Sequence, residues 1–135
     1  WILRGEFNIL AKLEEILDRA KTELMVAAPA FTETLSGIFA PMLMRLRGRG
    51  VKILFMVAGE AEEWDLKEIA SIAEVRMRDH MFGGGVIMDS KEAVLFLGEE
   101  KPTLVIWSNH LGLVKFARDY FQYLWKSPET KIHEV

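Results

Sequence analysis

The chain has 135 residues, half of them hydrophobic, and 27% charged with both signs mixed, which fits one domain with a real core rather than a disordered segment. A formal net charge of -3 argues against a surface that grips a phosphate backbone. With no cysteine there are no disulfides or thiolate metal sites, and no apolar run approaches the ~20 residues of a membrane span. The first residue is Trp1, without a signal-peptide pattern, so the chain reads as a piece of a longer, cytoplasmic protein.

In chain order, Ile9, Leu13, Ile16, Leu17 and Ala20 recur at helical spacing. Leu24 to Pro29 is a short apolar run and reads as a buried strand. Leu35, Ile38, Phe39, Met42 and Leu46 mark a second helix, with Thr32 or Thr34 as its cap. Pro41 should kink or interrupt that helix, and Gly48 and Gly50 should end it. Val51 to Val57 is a second buried strand, and Leu66, Ile69, Ile72 and Ala73 give a third helix. "EVRMR" alternates as a strand does. "GGVIMD" and "AVLFLG" form a hairpin across Ser90-Lys91-Glu92, "TLVIWS" is a further strand, and "NHLGLVKFARDYFQYLW" is the closing helix.

The early strands alternate with helices and should pair in parallel, whereas the later ones should be antiparallel. The expected fold class is α/β, a mixed β-sheet flanked by helices on both faces. Residues 1–126 form the domain, and 127–135 a polar tail containing Pro128.

The candidate chemistry is sparse. His80, His110 and His133 lack metal-ligand spacing, so no metal or other cofactor is expected. His80 is most simply a surface or turn residue, and Asn109 the N-cap of the last helix. Gly83-Gly84-Gly85 leads into a strand rather than a helix, which is wrong for a phosphate loop. It suits the flexible start of a strand, or a place where another backbone or a ligand comes close. Asp89 suits a hairpin turn. The closing helix carries two apolar stripes. Val114, Ala117, Phe121, Leu124 and Trp125 form one, and Phe116, Tyr120 and Tyr123 the other. One stripe covers a sheet. The surplus one packs within the chain or forms a dimer contact.

"VIMDSKEAVLFLG" followed by "LVIWSNH" resembles the core of phospholipase D-like domains, where a His-x-Lys-x4-Asp motif runs into a hairpin. With Asp89 as the motif aspartate, the histidine position falls on Phe82 and the lysine position on Gly84. The resemblance makes the histidine a nucleophile and the lysine a phosphate neutraliser, and phenylalanine and glycine do neither. His80 lies two residues too early. Ser108 fits the later serine, while Asn109 comes one residue too soon.

Trp1 to Gly5, Ala20 to Val26, Arg49 to Ile53, Glu74 to Arg76, Gly85 to Asp89 and Tyr120 to Trp125 together resemble TrmB-type transcriptional regulators, mainly archaeal proteins. The resemblance implies a non-catalytic phospholipase D-like domain that binds a small-molecule effector, often a sugar, and forms a homodimer. DNA contact would come only through an N-terminal winged helix that these residues lack, and no membrane partner is implied. With ligands favouring the carboxyl ends of strands in α/β sheets, that edge should collect Pro29, Ala58-Gly59, Asn109 and His110, and the resemblance adds His80, Phe82, Asp89 and Ser108 to the expected ligand residues. Phe116, Tyr120 and Tyr123 are the expected dimer residues. Two other readings stand beside this one: an active phosphodiesterase built on His80 and His110, and an interaction module without a ligand.

Overall fold

The computed structural model describes residues 2–4, 13–28, 33–58, 69–79, 84–97, 104–127 and 129–132. Its strands are β1 (Ile2–Arg4), β2 (Glu23–Ala28), β3 (Lys52–Ala58), β4 (Glu74–Arg78), β5 (Gly84–Met88), β6 (Glu92–Leu97), β7 (Leu104–Ser108) and β8 (Lys131–Ile132). Helical residues 13–17 are α1, Glu33–Gly48 is α2 and Leu111–Lys126 is α3. One eight-stranded sheet runs in the order β1-β7-β6-β5-β2-β3-β4-β8. The expected division holds: β2, β3 and β4 pair in parallel, while β5, β6 and β7 pair antiparallel.

The period of two along each strand splits the core. Leu24, Val26, Ile53, Phe55, Val86 and Met88 face one side, where α1 supplies Leu13, Ile16 and Leu17 and α2 supplies Met42, Leu43 and Leu46. Met25, Leu54, Met56 and Ile87 face the other, where α3 supplies Val114, Phe121, Leu124 and Trp125. The continuous apolar runs of β2 and β3 follow from this burial on both faces.

The end of α2 shows how local sequence sets a boundary. Gly50 takes φ +86. The N–H of Gly50 donates to the Arg47 carbonyl at 3.0 Å and that of Val51 to the Leu46 carbonyl at 3.1 Å. This is the Schellman closure, and Val51 and Leu46 are both fully buried in the same core cluster.

Four expectations need correction. Helix α2 runs unbroken through Pro41, whose side chain is exposed, because the burial of Ala40, Met42, Leu43 and Leu46 around it outweighs the proline penalty of about 3 kcal/mol. Thr34 lies inside α2 and does not cap it, while Thr32 is outside the described residues. The N-cap of α3 is His110, not Asn109, and it makes no side-chain capping bond. The polar tail is not free: β8 within it pairs with β4. Strands β1 and β8, three and two residues long, were not expected, being too short to show a period.

Candidate functional site

Strand β5 runs antiparallel to β2, so the turn after Met88 lies at the amino ends of the parallel strands. There Asp89 and Ser90 have φ 56 and 55, and the Lys91 N–H donates to the Met88 carbonyl at 2.9 Å. This is the left-handed turn that matches the twist of a hairpin, and aspartate tolerates it better than most residues.

The Asp89 carboxylate does more than shape the turn. Its Oδ1 accepts the backbone N–H groups of Thr22 at 2.8 Å and of Glu23 and Lys21 at 3.1 Å, together with the Thr22 hydroxyl at 2.9 Å. In return the Asp89 N–H donates to the Glu23 carbonyl at 2.8 Å. Burial alone would raise the carboxyl pKa, but the hydrogen bonds from Thr22, Glu23 and Lys21 outweigh it and hold the group below its ordinary 3.8. Asp89 therefore fastens the β5–β6 turn to the start of β2.

Ser108, paired with Ala93, stands at this same edge, and its Oγ accepts the His110 N–H at 3.0 Å. Asn109 and His110 follow it and are exposed. Asp89, Ser108, Asn109 and His110 thus lie at the amino edge, opposite the carboxyl edge where Asn109 and His110 were expected. The cause is β7: it runs antiparallel to β6 and so delivers its last residue to the amino rim. Among the described residues no three His, Cys, Asp or Glu side chains could hold a metal ion. Pro29, His80 and Phe82 lie outside the described residues, but their described neighbours Ala28, Asp79 and Gly84 are at the carboxyl edge.

A cleft of about 450 Å³ opens at that carboxyl edge, between the sheet and α3. Its floor includes Ala27, Met56, Gly84, Gly85, Ile87 and Leu95, and its wall includes Leu113, Phe116, Ala117, Tyr120, Phe121 and Leu124. The hollow exists because small residues meet there. Ala27 and Gly85 are register partners, and Ala117 sits on the helix above. Gly85 cannot carry a side chain, since a Cβ would come within 2.5 Å of the Val94 carbonyl oxygen. The close-approach reading of the glycine run therefore applies to Gly85. Gly84, the position matching the enzymes' lysine, presents only backbone to the cleft.

The first stripe of α3 is buried at Val114, Phe121, Leu124 and Trp125. The second is left exposed by the described residues: Phe116 is 72% exposed, Tyr120 46% and Tyr123 74%. Phe116 and Tyr120 belong both to this bare stripe and to the cleft wall. A shallower depression of about 510 Å³, bordered by Asp119, Gln122, Tyr123, Lys126 and Ser127, lies on the outer side of the helix.

Sequence reasoning missed one cluster that positions α3. The Arg76 guanidinium lies 4.3 Å from the centre of the Trp125 ring and donates to the Trp125 carbonyl at 2.7 Å. Arg78 donates to the Thr130 hydroxyl at 2.7 Å and pairs with Glu129 at 3.5 Å. The Thr130 hydroxyl in turn donates to the Leu124 carbonyl at 2.5 Å. Cations at a helix C-terminus satisfy its orphan carbonyls and oppose its dipole. The alternation of "EVRMR" was the available signal, but it did not say what the arginines meet.

A family model described as the N-terminal subdomain of the effector-binding domain of the transcriptional regulator TrmB matches residues 1–131. No curated protein sequence matches. Among solved structures, the chain is similar to TrmBL2, described as an archaeal chromatin protein with a novel mode of DNA binding. The TM-score is 0.74 at 19% identity, over 98% of this chain and 52% of that one. It is also similar to a phosphatidylserine synthase of Haemophilus influenzae Rd KW20, with a TM-score of 0.62 at 14% identity, over 98% of this chain and 38% of that one. Such likenesses show the fold, which is phospholipase D-like, and the chain spans about half or less of each of these proteins. With a family model that runs from the first strand into the last, the chain belongs to the TrmB family of transcriptional regulators, as the N-terminal subdomain of the effector-binding domain.

Proposed function

We propose that this chain senses a small-molecule effector and pairs with a second copy, on a phospholipase D-like scaffold without phosphodiesterase activity. The observation that carries the reading is the pairing of a bare aromatic stripe, Phe116, Tyr120 and Tyr123, with a cleft where the motif lysine is Gly84. Aromatic side chains left exposed on one helix face are typical of contact surfaces. An effector held beside them would bias how two protomers sit, and hence two DNA-reading heads outside these residues, by a coupling of about 1–3 kcal/mol. Pro29 and His80, next in sequence to carboxyl-edge residues, and Phe82, two residues before Gly84, belong with the cleft in this reading, and the protein works in the cytoplasm. Among the described residues no helix is long and apolar enough to cross a membrane.

Sedimentation velocity across a concentration series tests the pairing: a dimer is expected, and a monomer throughout would overturn it. Incubation with bis(p-nitrophenyl) phosphate tests the chemistry. No turnover is expected; hydrolysis abolished by His80→Ala or His110→Ala would restore the enzyme reading.

A further inference from the structure

We infer that residues 127–132 act as a strap that positions the far end of α3 over the cleft, so that the cleft is coupled to whatever is joined beyond Ile132. The inference takes its purpose from the effector reading above and names a regulation of that same site. Leu124 and Phe121 line the cleft, and each is reached from the strap through a run of contacts.

The first run is direct. The Leu124 carbonyl accepts the Thr130 hydroxyl at 2.5 Å and the Ser127 N–H at 3.2 Å. Thr130 is buried, and its hydroxyl accepts the Arg78 guanidinium at 2.7 Å. The second run passes through β4. Ile132 is the register partner of Arg76, whose guanidinium donates to the Trp125 carbonyl at 2.7 Å and lies over the Trp125 ring. That ring stacks on Phe121, with centroids 5.6 Å apart and planes 19° apart.

Two properties let these runs carry a displacement. Their polar links are directional, and those from a guanidinium are charge-assisted, whereas apolar contacts slide. There is also little slack between α3 and β8. The Thr130 N–H donates to the Ser127 carbonyl at 3.0 Å, and the Glu129 N–H to the Ser127 hydroxyl at 3.3 Å. A shift of β8 therefore draws the Leu124 carbonyl with it, and a shift of α3 pulls on β8. Helix displacements of about 1–2 Å are a common form of such coupling.

The chain has no cysteine, so Ala117→Cys places a single thiol in the cleft wall. Its alkylation by iodoacetamide, at a fixed protein concentration, reports how closely α3 sits on the sheet. Adding Thr130→Val, which removes the strap's hydroxyl at nearly constant volume, should speed that reaction at least about fivefold, the lower end of ordinary coupling between sites. A thiol at the exposed amino rim, Asn109→Cys, should react at the same rate in both backgrounds. If the Thr130→Val chain does not fold, Glu129→Arg, which replaces the ion pair with Arg78 by two like charges, should act in the same direction. Coupling is reciprocal. N-cyclohexylmaleimide on the Ala117→Cys thiol wedges α3 outward and should speed amide exchange at Thr130 and in β8, with Met25 and Leu54 in the sheet centre unchanged. A cleft thiol equally reactive with and without the strap substitution overturns the inference, as does a wedge that leaves exchange in β8 alone. Faster exchange at Met25 and Leu54 as well overturns it too, since both changes then act only on global stability. No ligand enters either measurement, so failure removes the coupling and leaves the effector reading standing.

Discussion

At the amino edge, the Asp89 side chain ties the hairpin turn to the start of β2. Its carboxylate satisfies three successive backbone N–H groups, those of Lys21, Thr22 and Glu23. Asp89→Ala should cost about 1–3 kcal/mol in urea unfolding, because those donors lose their acceptor. The pH dependence follows from the lowered pKa. The unfolded chain takes up the proton first, so the contribution of Asp89 is complete above about 3.8 and fades as the pH falls from there through the lower folded value. The variant should lose that part of the acid sensitivity. Gly85→Ala should destabilise by about 1–3 kcal/mol, since the added methyl meets the Val94 carbonyl oxygen rather than a flexible side chain; thermal melting measures it. Asp89 was legible in the sequence as a turn residue. Its partners were not, because they lie 66 to 68 residues away and no local pattern links them.

Helix α3 shows which features of an element can be read from sequence. Its buried stripe was legible because Val114, Phe121, Leu124 and Trp125 repeat at helical spacing against charged positions. The anchor of its far end was not. Arg76 and Arg78 look like solvent-facing positions of an alternating strand, yet both are drawn to the helix terminus. Arg76→Ala should speed hydrogen exchange over the last turn of α3 and cost about 2 kcal/mol, since a charge-assisted hydrogen bond and a ring contact go together. Strand β7 is a further case. Its existence was readable, but its direction, which carries Ser108, Asn109 and His110 to the amino rim, is a property of the sheet order.

At the scale of the molecule, the succession of parallel and then antiparallel pairing was legible from alternating helices giving way to consecutive strands. The outermost pairings were not, because β1 and β8 hold their places through their neighbours rather than through any pattern of their own. The bare aromatic stripe belongs to this scale. The double variant Phe116→Ser with Tyr123→Ser should raise the dimer dissociation constant at least tenfold in sedimentation equilibrium. It should leave the protomer's melting nearly unchanged, because both rings are exposed in the single chain.

The first and last strands occupy the two outer rims of the sheet, with six strands between them. Seven interstrand spacings put those rims about 34 Å apart. Anything joined ahead of Ile2 and anything joined beyond Ile132 is therefore held by a hydrogen-bonded strut, not by a shared hinge. A circular permutant would need a bridge of about ten residues or more to connect the two ends. Dyes placed beside Ile2 and Ile132 should report an almost constant separation.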